Sequence, residues 1–404
     1  MVELVAEHGY NAVSVEKLTA CARISKRDFY KLFAGKEECF LATYDIIVSG
    51  SLCGVIAAAE GEKEWRKRLR LGFLALADQV AGRPEAARLA LVEAFTVGAV
   101  AVERMRRTSR LFEALVEKNL ALSDDAPWLP PLVVKGIVAG GTRSARARLL
   151  SDRPRQPALD GDELAQWALS FCDEDVARLR GLGVSGAPPA PQAAFVTPPG
   201  DERALILAAT AKLASKEGYA ALTVPRVRAA AGVSRRSFDA HFESVADCFL
   251  ATLETLGDRT LAAAASLFIT AEDWASGVHR TITDLCRHLA RDPTFTALAF
   301  VEAFSPEPEE IQWRSEMIAK LATRFRRGAP PARRPSELAA EASIGAMWGV
   351  IHDFVVSGRG TQLPAAAPAL SYLALAPALG ATAAVDVIVR ECGGSAGSDM
   401  PRLR

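Results

Sequence analysis

Neither sign of charge prevails in this chain. Its 48 Lys and Arg stand against 48 Asp and Glu across 404 residues, for a net charge of zero. That excludes a surface coated in positive charge for indiscriminate nucleic-acid binding, although it leaves room for a local basic patch. The seven cysteines (21, 39, 53, 172, 248, 286 and 392) include no CxxC pair, so core packing in a reducing compartment is expected of them. Missing too are GxSxG, HExxH and a phosphate-cradling glycine loop. No catalytic residue, metal or cofactor is therefore expected. His279 and His288 stand nine apart, where a metal pair on one helix prefers three or four.

The amino terminus lacks the basic start, apolar stretch and small-residue cleavage site of a secretory signal, because Met1 opens onto a helical pattern with Glu3, Glu7 and His8. A cytoplasmic protein is expected. The longest uncharged tract, Gly360 to Val385, is broken by Pro364, Pro368 and Pro377 and is mostly Ala, so it reads as interrupted buried helix and not as a membrane span. Strand alternation is absent. With 50% hydrophobic and 24% charged residues, the chain is globular, all-α and long enough for two or three domains.

What the chain does contain is a duplication. The stretch from Ser14 to Thr43 is echoed from Thr223 to Thr252 at a constant offset of 209, which carries Gly9-Tyr10 onto Gly218-Tyr219, Ser25 onto Ser234, Phe29 onto Phe238 and Phe33 onto Phe242. The echo continues: Trp65 matches Trp274, and Val92-Glu93-Ala94-Phe95 matches Val301-Glu302-Ala303-Phe304. Further on, the register slips by a residue or two. The patterns from Leu132 to Leu150 and Asp162 to Leu182 then answer Ser336 to Val356 and the helix around Leu370 to Ala378.

Each copy of the motif reads as two short helices and a sharp turn. Ser14 and Thr223 cap the first helix, Ser25 and Ser234 the second, and Asp28 completes a capping box in the first copy. Gly9 and Gly218 read as left-handed caps closing the opening helix, which in the first copy is about half as long as in the second. Either the true start lies upstream or that copy is trimmed. Between the two short helices Gly232 takes the turn in the second copy, where the first has Arg23; a positive φ there costs a non-glycine roughly 1 to 2 kcal/mol.

The Phe pairs, four apart, fix the buried face of the second helix, which leaves Arg27 and Lys31 opposite, with Tyr30 beside them and Lys26 at the amino end. Lys26-Arg27 and Arg235-Arg236 occupy a first turn that the macrodipole makes unfavourable for cations. A helix with cations at its exposed start, held at a fixed angle by a short preceding helix, suits the major groove of DNA. Tyr30 can donate to a phosphate, and Lys36 can pair with the backbone from the start of the next helix. The DNA-facing set is then Lys26, Arg27, Asp28, Tyr30, Lys31, Lys36, Arg235, Arg236, Ser237 and His241.

On these residues both copies resemble the TetR family of bacterial transcriptional regulators. The likeness rests on the Gly-aromatic end of the opening helix, on Ile/Val-Ser-x-x-x-Phe-x-x-x-Phe, and on the helix opening at Lys36-Glu37-Glu38. It implies, for each unit, a three-helix helix-turn-helix DNA reader followed by an all-helical ligand-binding and dimerisation domain. Tyr30 and Lys36 match the family's phosphate contacts in the first copy; the second keeps His241, where the first has Leu32, but carries Asp239 and Val245 in place of the Tyr and Lys. The second reader is therefore expected to bind more weakly or to read a different half-site.

The expected organisation is a reader at 1–46, a regulatory domain at 47–181, a Pro/Gly/Ala-rich linker at 182–200, a second reader at 201–255, a second regulatory domain at 256–392 and a disordered tail at 393–404. Fusion makes the usual homodimer an intramolecular pseudo-dimer. The expected partners are a double-stranded DNA operator, probed with two unlike readers as a repressor, and a small, largely apolar effector, with no membrane. Glu93 and Glu302, which interrupt apolar runs, are expected to pair with a nearby Arg, the other possibility being a ligand pocket. The rival from another class is a ligand-sensing or partner-binding helical protein whose readers have decayed.

Overall fold

The computed structural model describes residues 1–150, 159–182, 200–268, 273–300 and 308–395, and among them every regular element is helical. The first half runs through α1 (Val2–His8), α2 (Val15–Ala22), α3 (Lys26–Leu32), α4 (Lys36–Ala58), α5 (Trp65–Gly82), α6 (Pro84–Arg88), α7 (Ala94–Val97), α8 (Ala99–Ala121), α9 (Pro131–Leu150) and α10 (Gly161–Leu169). A π turn, Leu89–Glu93, joins α6 to α7. The second half runs through α11 (Glu202–Glu217), α12 (Val224–Ala231), α13 (Arg235–His241), α14 (Val245–Phe268), α15 (Trp274–Arg291), α16 (Pro293–Phe300), α17 (Pro308–Gly328), α18 (Glu337–Val356), α19 (Ala367–Leu379) and α20 (Ala381–Ser395).

The duplication holds in three dimensions. At the offset of 209, α2, α3 and α5 coincide at both ends with α12, α13 and α15. From Pro131 to Glu337 and from Leu150 to Val356 the offset is 206, so the slip is three residues and not the one or two expected. Most of the expected linker and tail lies outside the described residues, although α20 extends through Ser395 into the expected tail. Gly360 to Val385 is indeed helix with breaks: a 3-10 stretch holding Pro364, then α19, with Pro368 at its start, and α20. Among the described helices, α4 alone is long and apolar enough to cross a bilayer, and it buries Phe40, Leu41, Tyr44 and Val55 in the protein.

Among the described residues, two apolar clusters organise the molecule. The larger runs from Trp65 through α9, α10 and nearly all of α19 into the second reader. The smaller joins Val5, Tyr10, Leu18, Phe29 and Phe40 of the first reader to Leu89, Ala90 and Ala94 around the π turn, so that reader rests on the helices that follow it through a core of its own. Cys248 and Cys286 pack in the core as expected, but Cys21 and Cys53 are exposed, because their helices turn those positions outward.

The halves meet through α9 and α18, which approach closely because their facing residues are small. A methyl group built on Gly140 would lie 2.6 Å from the Ala342 carbonyl, one on Gly349 2.4 Å from Ala139 Cβ, and one on Gly345 2.6 Å from Arg143 Cγ. The last two contacts are reciprocal: at the offset of 206, Ala139 corresponds to Gly345 and Arg143 to Gly349. Such exchange is the signature of a two-fold axis. Trp167 Nε1 donates to Ser343 Oγ at 3.0 Å, and the Tyr372 hydroxyl to the Phe171 carbonyl at 2.9 Å, closing the junction on either side.

Candidate nucleic-acid interface

The reader helices start where serine stops the chain. Ser25 Oγ accepts from Asp28 N at 3.1 Å and Ser234 Oγ from Ser237 N at 3.0 Å, each satisfying one orphan donor of the first turn. Asp28 answers through its side chain, accepting from the Ser25 hydroxyl at 2.7 Å, a variant of the expected capping box. Ser14 caps α2, accepting from Lys17 N at 3.3 Å, whereas Thr223 makes no side-chain cap to α12.

The turn before each reader helix is left-handed. Gly232 sits at φ 70, ψ 28, and Arg23 at φ 54, ψ 41, the one non-glycine with positive φ among the described residues. The first copy thus keeps the turn and carries the strain. Gly9 and Gly218 also have positive φ, but with ψ at 157 and 161 they are extended mirror-region residues and not the left-handed helical caps expected. That region is in practice reserved for glycine.

Burial follows the Phe pairs: Phe29 and Phe238 are inside, with ring centroids 5.4 Å from Phe33 and 5.7 Å from Phe242 respectively. Lys26, Arg27, Tyr30 and Lys31 are consequently exposed in the first reader, and Arg235, Arg236 and His241 in the second. Several of these charges have local partners. Lys26 pairs with Glu16, Lys31 with Asp28 at 2.6 Å, and Arg235 with Asp239 at 3.3 Å. Those hydrogen bonds hold the Glu16 carboxyl down to about 2 and lower that of Asp28. Exposed pairs of this kind are weak and exchange readily for phosphate. Arg27 and Arg236, at the second position of the two reader helices, have no bonded partner among the described residues.

The paired copies match a known pattern. Residues 2–43 and 206–252 each match the family model described as bacterial regulatory proteins, tetR family. Two tetR-family units stand in one chain. The chain is also 26% identical over 170 residues to the HTH-type transcriptional activator FasR of Mycolicibacterium smegmatis, across 42% of this chain and 76% of that protein. A tetR-family chain with two such readers is a DNA-binding transcriptional regulator.

Not every expected contact of the tetR-family readers faces outward. Lys36, assigned to the DNA backbone, is half-buried: its ammonium donates to the carbonyls of Tyr10 (3.3 Å) and Val13 (3.1 Å) and lies 4.4 Å from the Tyr10 ring centroid. It clamps the turn between α1 and α2. Ser237 turns back likewise, its hydroxyl donating to Glu202 Oε2 of α11 at 2.6 Å. Lys17 and Arg226, equivalent at the offset of 209, repeat one clamp, donating to the carbonyls of Ala12 and Ala221, each at 2.9 Å. Cation type alone hides this role, but the matched spacing to Ala12 and Ala221 signals it.

Glu93 attaches the first tetR-family reader. Glu93, on the π turn, lies 3.7 Å from Arg88, the pairing expected, and its other oxygen accepts from Tyr10 N of the reader at 3.1 Å. A buried carboxylate of the regulatory domain thus holds the exit of α1. Glu302 lies outside the described residues.

Proposed function

We propose that the protein is a ligand-responsive regulator whose two unlike readers, held as an intramolecular pair, recognise an asymmetric operator. The observation that carries the reading is the pair Arg27 and Arg236: exposed guanidinium groups at equivalent positions of both reader helices, each without a local partner. The first reader presents the exposed Tyr30 hydroxyl where the second has a carboxylate, Asp239, at the equivalent position. Unlike faces favour unlike half-sites. The reciprocal contacts of α9 and α18 support the junction as the stand-in for a homodimer interface, so that one chain supplies both readers. Paired readers on one face of DNA call for half-sites about 34 to 36 Å apart.

Ligand response rests on the link between regulatory domain and reader. The π turn contacts the reader through Glu93 and Tyr10, and a ligand that moves it shifts the reader's angle and the population of the DNA-competent state. Repression is the simplest consequence of operator occupancy; FasR is named as an activator, and a promoter reporter reads the sign directly.

Selecting bound fragments from genomic DNA tests the reading. Recovery of a site with two different halves supports it, and two equal halves contradict the asymmetry. Failure to enrich any site supports instead a ligand-sensing or partner-binding helical protein with decayed readers.

A further inference from the structure

Between α8 and α9 of the first unit and α18 of the second lies a cavity of about 200 Å³. Its walls mix apolar residues, among them Phe95, Met105 and Trp348, with charged ones. Two of its cations are buried. Arg146 donates through Nε to the Leu91 carbonyl of the π turn at 2.6 Å and lies 4.4 Å from the Phe95 ring centroid. Arg143 has no such anchor: its Nε and Nη1 are buried without a hydrogen-bond partner among the described residues. Burial pushes the Arg143 guanidinium down to about 10 and that of Arg146 to about 9, and each is still charged at neutral pH.

The carboxylates nearby sit closer to other cations, although the charge of Glu341 also acts on Arg143. Glu113 and Asp353 hold Lys135 at 3.2 and 3.5 Å, and Glu341 lies 3.6 Å from Arg148. A buried cation with unmet hydrogen bonds is strongly destabilising. Arg143 nonetheless occupies a closely packed part of the junction, against Gly345. The site exists once per chain, because at the offset of 206 Arg143 is replaced by Gly349 and Arg146 by His352.

We propose that this cavity binds a small organic carboxylate, its anionic head on Arg143 beside Arg146 and its ring-sized or short-chain body against Phe95, Met105 and Trp348. An apolar cavity of ~150 Å³ admits benzene, so the space suits one ring with its carboxylate. The bound anion supplies the missing acceptors of Arg143 and, through Arg146 and the Leu91 carbonyl, bears on the π turn whose Glu93 holds Tyr10 of the first reader. The assignment rests on the ligand-responsive reading above and narrows the expected apolar effector to one with an acidic head.

The test is titration of the full chain with benzoate and octanoate, with benzyl alcohol and octanol as neutral counterparts and inorganic phosphate as a bare anion, followed by calorimetry and by quenching of tryptophan emission. A carboxylate is expected to bind at least ten-fold more tightly than its alcohol and than phosphate. Arg143→Met should abolish that preference while leaving the melting temperature unchanged or higher, since it removes a buried charge whose hydrogen bonds are unmet. Equal binding of acid and alcohol, saturation by phosphate alone, no binding by either acid, or an unchanged preference in R143M overturns the assignment. Because no DNA is present, carboxylate binding without operator release leaves the site standing and refutes the ligand response, while operator binding without carboxylate binding does the reverse.

Discussion

Arg27 and Lys36 are both cations of the first reader, yet their surroundings give them different work. Arg27 is free at the start of α3, whereas Lys36 is bound to carbonyls of the α1–α2 turn. Arg27→Ala is therefore expected to weaken operator binding and to lower the slope of log affinity against log salt by about 1. Lys36→Met should instead lower the thermal stability of the reader and leave the slope near its original value; fluorescence anisotropy across a salt series separates the two. Arg23 carries left-handed strain that Gly232 avoids. Arg23→Gly relieves roughly 1 to 2 kcal/mol of strain but adds unfolded-state freedom worth about 0.4 to 1 kcal/mol. Urea unfolding should accordingly show a net gain, of at most about 1.6 kcal/mol.

At the scale of elements, α2, α3, α12 and α13 were legible because the serine caps of α2, α3 and α13 and the Phe spacing are local chemistry, and the offset of 209 carries the reading onto α12, where Thr223 makes no cap. The π turn and the α9–α18 junction were not. A π turn leaves the apolar pattern of its neighbours almost intact, and Gly136, Gly140, Gly345 and Gly349 register as weak helix residues until a partner helix is seen against them. The buried Arg143 and Arg146 were hidden for the same reason, since they sit three apart on a helix whose own sequence looks merely amphipathic. In α15 the amphipathic pattern buries His279, whose Nδ1 meets Ser371 Oγ at 2.9 Å. Burial lowers its pKa below the ordinary 6.5; Glu391 opposes that shift, Arg280 and Arg287 add to it, and the Cys392 thiol faces Nε2. The unfolded chain then takes a proton that the folded one refuses, so stability is full above that value and falls as pH drops through it. Urea midpoints at pH 7.5 and 5.5 should differ less in His279→Gln than in the original chain.

For the whole molecule, the duplication, the helical class and the two readers followed from sequence, while the manner of pairing needed the contacts between α9 and α18. If that junction sets the separation of the readers, then Gly345→Leu, which drives a side chain into Arg143, should cost about 1 to 3 kcal/mol of stability. Its affinity for a complete operator should fall toward that for a single half-site. The central claim is that one chain supplies both readers. Sedimentation of the protein at low micromolar concentration, alone and on a selected operator duplex, tests it most directly. A monomer free in solution and one chain per duplex are predicted; a stable dimer placing two chains and four readers on each duplex would contradict the account.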